Sequence, residues 1–107
     1  KPVELPNESA RVSVIDTSAM AIDSLAMFGV PCRANGAAGV MVAARLDSPR
    51  AAVVHLGVGD VIHAVNGVPV DSVSALRAAV STIATHQAVV LHVSQAGRLT
   101  FVAFEHE

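Results

Sequence analysis

The side chains of this chain that could do chemistry are its serines, histidines and carboxylates, together with one cysteine. A serine nucleophile needs a base and an orienting acid that converge on it in one cleft. The sequence has no Gly-x-Ser-x-Gly motif, the pattern that exposes a serine at a sharp strand-to-helix turn. The elements indicated by the sequence are also too few and too small to enclose a cleft. We therefore expect no catalytic residues and no enzymatic activity of this domain itself.

Metal and cofactor sites are not indicated either. The five histidines show no His-Glu-x-x-His motif and no close pair, so isolated strand or surface histidines are expected. The glycine-rich stretch 36–39 lacks the Lys-Ser of a phosphate-binding loop and is expected to be a plain loop. Asp60 follows Gly59 in a turn, where its carboxylate can accept hydrogen bonds from nearby amides. Cys32 is the only cysteine, so an intrachain disulfide is impossible and a buried thiol is expected.

The composition is that of a single globular domain. The chain has 107 residues, of which 52% are hydrophobic and 15% charged, enough apolar surface for one core. It has three Phe, no Trp and no Tyr, and its formal net charge is −2. Nucleic acid is therefore not an expected partner, because the sequence offers neither a basic patch nor stacking aromatics. No apolar run approaches the roughly 18 residues of a membrane-spanning helix, so no membrane insertion is expected.

Segment 56–70 is the most informative part of the chain. Its two glycines permit a bend, and Asp60 is placed to cap that bend before a buried strand. Asn66-Gly67 is a strong signal for a tight hairpin turn, since both residue types tolerate positive φ. Pro69 confines the returning strand to an edge. The segment therefore predicts a loop, a buried strand, a two-residue turn and a short edge strand.

The remaining periodicity predicts strands and helices before and after that hairpin. Before it we expect a strand over 11–16, a helix over 18–28 that ends at Gly29, a loop over 31–38, a strand over 39–45 and a short helix from Ser48 to Val54. After it, residues 72–83 have one apolar stripe and predict a helix. Its stripe consists of Val73, Leu76, Val80 and Ile83. Two strands, over 88–94 and 98–105, close the chain.

Four short motifs resemble the PDZ domains of bacterial HtrA-type serine proteases. Residues 59–62 (Gly-Asp-Val-Ile) and 65–67 (Val-Asn-Gly) match the best-known core of that family. Residues 39–42 (Gly-Val-Met-Val) resemble its Gly-x-x-Val strand, and Ser48-Pro49 resembles its Ser-Pro-Ala helix start. The resemblance implies an α+β fold: a PDZ-like, partly open antiparallel β-barrel of about five or six strands with two main helices. Residues 1–10 are then expected to be a linker and residues 11–107 the PDZ-like domain.

The resemblance also implies a function as a peptide-binding or regulatory module. In PDZ domains a peptide adds as an extra strand, and its terminal carboxylate binds the backbone amides of a loop. By position that loop is Val12-Ser13-Val14, although Ser13 stands where the family has Gly and Asp16 brings a negative charge close by. Val73 and Val80 can belong either to the groove or wholly to the core. The groove residues implied are Ile15, Val73, Arg77 and Val80.

The same resemblance suggests where the domain works. The chain opens on a polar, proline-containing stretch, and we expect it to be a piece of a larger periplasmic or other extracytoplasmic bacterial protein, such as an HtrA-type serine protease. The expected partners are peptides, unfolded protein segments or other domains of the same chain. The alternative is an assembly domain resembling the C-type component of type II secretion systems, which need not capture a free C-terminus.

Overall fold

The structure of the protein is a computed structural model, which describes the backbone of residues 12–14 and residues 20–106 in full. Within these residues it has eight strands and two α-helices. The strands are β1 Val12–Val14, β2 Met20–Ile22, β3 Met27–Ala34, β4 Ala37–Arg45, β5 Val61–Val65, β6 Val68–Pro69, β7 Ala88–Gln95 and β8 Arg98–Glu105. The helices are α1 Pro49–Val53 and α2 Val73–Ser81, and a single 3-10 turn spans Asp23–Leu25.

All eight strands belong to one antiparallel sheet. Its main order is β1-β3-β4-β5-β7-β8, with β2 paired to β3 and the short β6 paired to β5. The α+β class with two helices is therefore confirmed, but the expected count of strands was too low. The additional strands, β2 and β3, come from the segments that were expected to be the first helix and the loop after it. Neither α-helix in the described part of the chain has the length and apolar character needed to cross a membrane.

The helix predicted over 18–28 is wrong. In its described part the chain forms β2, the 3-10 turn and the beginning of β3. Ala26 ends the 3-10 turn in the left-handed region, with φ of 53°, which an α-helix cannot include. Gly29, expected to end the helix, lies within β3 beside a register shift. Pairing of β3 with β4 over its whole length outweighs the local helical pattern of the side chains.

The loop predicted over 31–38 is also wrong. Residues 31–34 continue β3, and Asn35 and Gly36 form a two-residue turn into β4. Both turn residues have positive φ, 53° and 78°, as a type I′ hairpin turn requires. The strand predicted over 39–45, the short helix after Ser48 and the elements after residue 56 are confirmed, with bounds that agree to within two residues.

The core lies where α2 packs on the sheet. Ser72 caps α2 by accepting a hydrogen bond of 3.1 Å from the Ala75 amide. Three residues of the predicted stripe, Val73, Leu76 and Val80, are buried, and Ile83 packs against them in part. The sheet contributes apolar side chains of β3, β4, β5, β7 and β8, so the amphipathic face of α2 completes one continuous core.

The turn before β5 is held by Asp60, as expected from the sequence. Its Oδ2 accepts hydrogen bonds from the Gly57 amide at 2.7 Å and from Gln95 Nε2 at 3.0 Å. Asn66 holds the next turn, with φ of 47° for Asn66 and 83° for Gly67. Its side chain also accepts a bond of 2.7 Å from the Val90 amide, which fastens the hairpin to β7. The predicted hairpin is therefore confirmed.

Gly67 gives a direct test of this turn. A Cβ at Gly67 would meet nothing within 4 Å, so Gly67→Ala is penalised only through its φ of +83°. We expect the free energy of unfolding to fall by about 1–2 kcal/mol, measured by urea denaturation. Gly57→Ala is the matched control, because its Cβ meets only an ordinary contact of 3.7 Å and φ there is not positive. Equal losses of the free energy of unfolding in the two variants would contradict the assignment of a positive-φ turn at Gly67.

Cys32 makes the free energy of unfolding depend on alkaline pH. The residue is 0% exposed, and burial raises the pKa of its thiol from 9.0 to about 11, an effect that a hydrogen bond from the Met41 backbone opposes. The unfolded chain loses this proton first. The free energy of unfolding should therefore fall between about pH 9 and about pH 11, by about 2 kcal/mol at the upper limit.

The measurement is urea denaturation across that pH range, with Cys32→Ala as the control. The control is expected to be less stable throughout but to lack this part of the pH dependence, since alanine does not titrate. The chain has no Tyr, which removes the commonest other group that titrates there. Parallel pH profiles for the two proteins would contradict the prediction.

Candidate functional site

One edge of the sheet is formed by two short strands in succession. Both β1 and β2 pair antiparallel with β3: β1 joins its C-terminal half and β2 its N-terminal half. Because β4 occupies the other side of β3, β1 and β2 together form the outer border of the sheet at this end. We call this border the β1–β2 edge.

Helix α2 lies beside the β1–β2 edge and contacts both β2 and β3. The exposed Arg77 reaches from the helix to β2, where its Nη2 donates a hydrogen bond of 2.5 Å to the backbone oxygen of Ala21. Ala21 is paired with Phe28 of β3. A cationic side chain of α2 is therefore already bonded to the backbone of the edge strand β2.

The other groove residues implied by the resemblance are not all exposed. Val73 and Val80 are 4% and 1% exposed and belong to the core under α2. Of the two roles left open for them, the structure supports the role in the core. Ile15 lies outside the described residues, so its place in a groove stays a prediction. Arg77 is thus the one implied groove residue that the structure describes as an exposed side chain next to the edge.

The segment Val12-Ser13-Val14, expected to be a carboxylate-binding loop, forms β1. Its backbone pairs in register with Ala34, Arg33 and Cys32. A carboxylate-binding loop needs several amides that converge on one point, whereas a strand presents its amides alternately to its two sides. The arrangement of β1 therefore suits addition of another strand better than capture of a single anion. The role predicted for these three residues stays a prediction.

A second polar feature lies buried in the middle of the sheet. His63 Nδ1 is 2.8 Å from the Ala38 backbone oxygen, and His63 Nε2 is 2.6 Å from Ser94 Oγ. Asn35 Nδ2 donates a bond of 2.9 Å to the same Ser94 Oγ. His63 and Ser94 are only 7% and 5% exposed. The network joins the β3–β4 turn, β4, β5 and β7 through side chains.

The hydrogen bonds of this network determine the tautomer of a neutral His63. A backbone carbonyl can only accept, so Nδ1 carries the proton and donates it to Ala38. Nε2 is then the acceptor, and the Ser94 hydroxyl donates to it. A serine hydroxyl that donates to an imidazole nitrogen is also the arrangement that activates a serine nucleophile in acyl transfer. Here both groups are buried and Ser94 Oγ also accepts from Asn35, so the network acts as a brace between strands.

His63 occupies this position because of a β-bulge and a glycine. The register between β5 and β7 shifts between Ile62 and Ala64, which leaves His63 as the extra residue of the bulge. On the neighbouring strand, a Cβ at Gly39 would lie 2.6 Å from the Ile62 backbone oxygen and 3.0 Å from His63 Nδ1. Only glycine leaves room for the bulged strand at this point.

A pocket of about 490 Å³ opens next to the brace. The rings of His63 and His92 and the exposed Asp71 line it, together with small apolar residues of β4, β5 and β6. The His92 ring lies edge-on to His63, with centroids 6.4 Å apart. Among the described residues, no group of three or more His, Cys, Asp and Glu side chains is arranged to hold a metal ion.

Sequence reasoning missed the brace and a second polar centre at Arg45. His63 and Ser94 interrupt apolar strands, and buried polar groups are nearly always hydrogen-bonded, so their positions were a usable signal. Their hydrogen-bond partners could not be predicted, because the position of His63 depends on a β-bulge that the sequence does not reveal. Arg45 donates to the backbone oxygens of residues on two separate loops, and nothing in the sequence distinguishes it from an exposed arginine.

Comparison with known proteins leaves the family open. No family model matches the chain, and no curated protein matches it.

Ser94→Ala tests the brace. The substitution leaves Nε2 of His63 buried without its donor, and such a group costs about 1–3 kcal/mol of the free energy of unfolding. Ser81→Ala is the control, because Ser81 is exposed and its Oγ donates to the Ala78 oxygen within its own helix. We expect a change within about 0.5 kcal/mol for the control. Urea denaturation measures both, and similar values would show that the brace does not stabilise the fold.

Proposed function

We propose that the domain is a PDZ-like protein-interaction module that binds an extended segment of another polypeptide by strand addition at the β1–β2 edge. The observation that carries the proposal is that a free edge of the sheet lies next to a helix. The sheet ends at β1 and β2, and α2 lies alongside with an exposed arginine. An edge of this kind supplies backbone hydrogen bonds, while the helix supplies contacts for alternate side chains.

The PDZ-like part of the proposal is supported by the order of elements after residue 36. A long strand, a short helix, a hairpin with an Asn-Gly turn, a capped helix and a further strand follow one another in the order that the family motifs imply. The resemblance in residues 39–42, 59–62 and 65–67 falls on β4, β5 and the β5–β6 turn. Each of these motifs therefore lies on an element of the type that the resemblance implies.

Main-chain hydrogen bonds are expected to supply most of the affinity of this site. The chain has no Trp or Tyr, the residues that most often act as binding anchors, and Val73 and Val80 are committed to the core. We expect a dissociation constant of about 1 µM or weaker for an extended peptide with small apolar side chains. In a larger extracytoplasmic protein, such as an HtrA-type protease, binding of this kind would regulate or position another domain.

The second candidate function is an assembly domain that pairs with an internal strand of its partner. Two observations favour it. The residues expected to cradle a carboxylate form a paired strand, and Arg77 is already bonded to the Ala21 oxygen. Both features reduce what is available to a terminal carboxylate, whereas for an internal strand the Arg77 bond occupies only one backbone oxygen of β2. This candidate resembles the role of the C-type components of type II secretion systems.

Titration of the isotope-labelled domain with peptides tests the proposal by NMR. We expect chemical-shift changes on β1, β2 and the exposed face of α2 with a library of extended apolar peptides, because these elements border the proposed site. Each peptide is used with a free and with an amidated C-terminus. Absence of shifts on these elements with every peptide would overturn the proposal.

Arg77→Ala separates the two candidates. If the site captures a carboxylate, this variant should bind free-acid peptides about tenfold more weakly and amidated peptides unchanged, since one charged hydrogen bond is lost. If the site adds an internal strand, amidation should not matter and the variant should bind equally well or better, because the Ala21 oxygen becomes available. Arg98→Ala is the matched control, an exposed arginine on the opposite edge of the sheet.

A further inference from the structure

The pocket beside the brace lies apart from the β1–β2 edge. Its volume of about 490 Å³ falls within the range of pockets that hold small ligands, roughly 300–1,000 Å³. None of its described lining residues belongs to β1, β2 or α2. The space exists because β4, β5 and β6 carry small side chains at this point, namely Ala37, Ala38, Ala64 and Pro69. We call it the His63–His92 pocket.

The two rings of the His63–His92 pocket are held in place by the protein itself. His63 uses both ring nitrogens, one at 2.8 Å from the Ala38 backbone oxygen and one at 2.6 Å from Ser94 Oγ. The His92 ring stacks on Phe101, with centroids 4.8 Å apart and an angle of 19° between the planes. Both imidazoles are therefore fixed planar walls, which lose little conformational freedom when a ligand covers them.

Asp71 brings a negative charge to this pocket. With histidine neutral, it is the one charged residue among the described residues that line the pocket. Its backbone is held on both sides, because the Val70 amide donates a bond of 2.9 Å to the His63 backbone oxygen and Ser72 caps α2. The side chain is exposed, and no donor among the described residues bonds to its carboxylate. An unpartnered carboxylate at a pocket attracts a cation and repels an anion.

The walls of the pocket select one kind of cation. A metal ion is not supported, since both nitrogens of His63 are already engaged and no metal-binding group is formed among the described residues. An ammonium is compact and strongly hydrated. A guanidinium is planar and more weakly hydrated, stacks on aromatic rings and can bond a carboxylate through two parallel N–H groups.

The pocket offers each contact that such a group needs. The imidazole rings and the methyl groups of the alanines suit a flat group and its apolar stem, while the Asp71 carboxylate suits its N–H groups. We infer that the His63–His92 pocket binds a planar cation, a guanidinium or amidinium group carried on an apolar stem. Its source is either an arginine side chain of a partner polypeptide or a free aromatic amidine.

NMR titration of the isotope-labelled domain tests the inference, at about 0.15 M salt so that weak surface attraction is screened. The probes are N-acetyl-arginine amide, benzamidine and N-acetyl-citrulline amide, whose planar urea group resembles the guanidinium in shape but has no charge. We expect shift changes at residues 37–38, 63–64 and 69–71 and on the His92 ring with the two cations. A dissociation constant of about 1 mM is expected for ligands of this size, and binding at least about tenfold weaker for the citrulline derivative. Tighter binding of the arginine derivative than of benzamidine would indicate a polypeptide as the source, and the reverse order a free aromatic cation.

Asp71→Asn is the variant that tests the charge, because it keeps the shape of the side chain. It should bind both cations about tenfold more weakly, since a hydrogen bond to a charged group is lost. Asp47→Asn is the matched control, an exposed aspartate between β4 and α1 that does not line the pocket, and should leave the affinity unchanged. Absence of binding by both cations, equal binding of the citrulline derivative, an affinity unaffected by Asp71→Asn, or shift changes that lie outside the pocket would each overturn the inference.

Discussion

The hydrogen bonds of one half-buried arginine hold the two irregular parts of this fold against the sheet. Arg45, at the end of β4, donates to the backbone oxygens of Leu25 and Ala26 in the 3-10 turn and of Val54 and Leu56 after α1. Two of these carbonyls also accept a backbone N–H, Ala26 from Leu46 at 2.8 Å and Val54 from Leu56 at 2.9 Å, so Arg45 adds a second donor there. Buried carbonyls that lack donors are costly. Burial lowers the pKa of Arg45, while the charge of Asp60 acts against that change. The position of β2, and with it the β1–β2 edge, depends on this turn.

The sequence predicted the second half of the fold well because its signals there are local. Ser72 and the stripe of α2 determine a helix, and Asn66-Gly67 determines a hairpin, without reference to the rest of the chain. The first half depends on distant pairing. The same Asn-Gly signal is present at residues 35 and 36, but an apparent helical pattern over 18–28 hid the strand before it. Long-range pairing of β3 with β4 decided the outcome there.

The candidate sites were predictable only in part, for a related physical reason. The exposure of Arg77 and the burial of its helix neighbours follow from the periodicity of α2, so one groove residue could be placed. The brace of His63 could not, because it needs a bulge in β5, a turn residue from β3–β4 and a serine from β7. A bulge turns one side chain away from the alternation on which strand prediction relies. Buried polar residues in apolar strands indicate that a network exists, but not its members.

The two ends of the sheet differ in what lies beside their edge strands. At the β1–β2 edge, α2 lies close and Arg77 binds a backbone oxygen, so an incoming strand must fit beside a helix and compete with a charged donor. That requirement selects among partners and limits affinity. At β8 the strand is regular and apolar between Arg98 and Glu105, and Arg50 of α1 donates a hydrogen bond of 3.3 Å to the Glu105 backbone oxygen at its end. Each edge thus has one backbone oxygen bound by an arginine of a helix, which leaves fewer acceptors for an added strand than the strand pairing alone indicates.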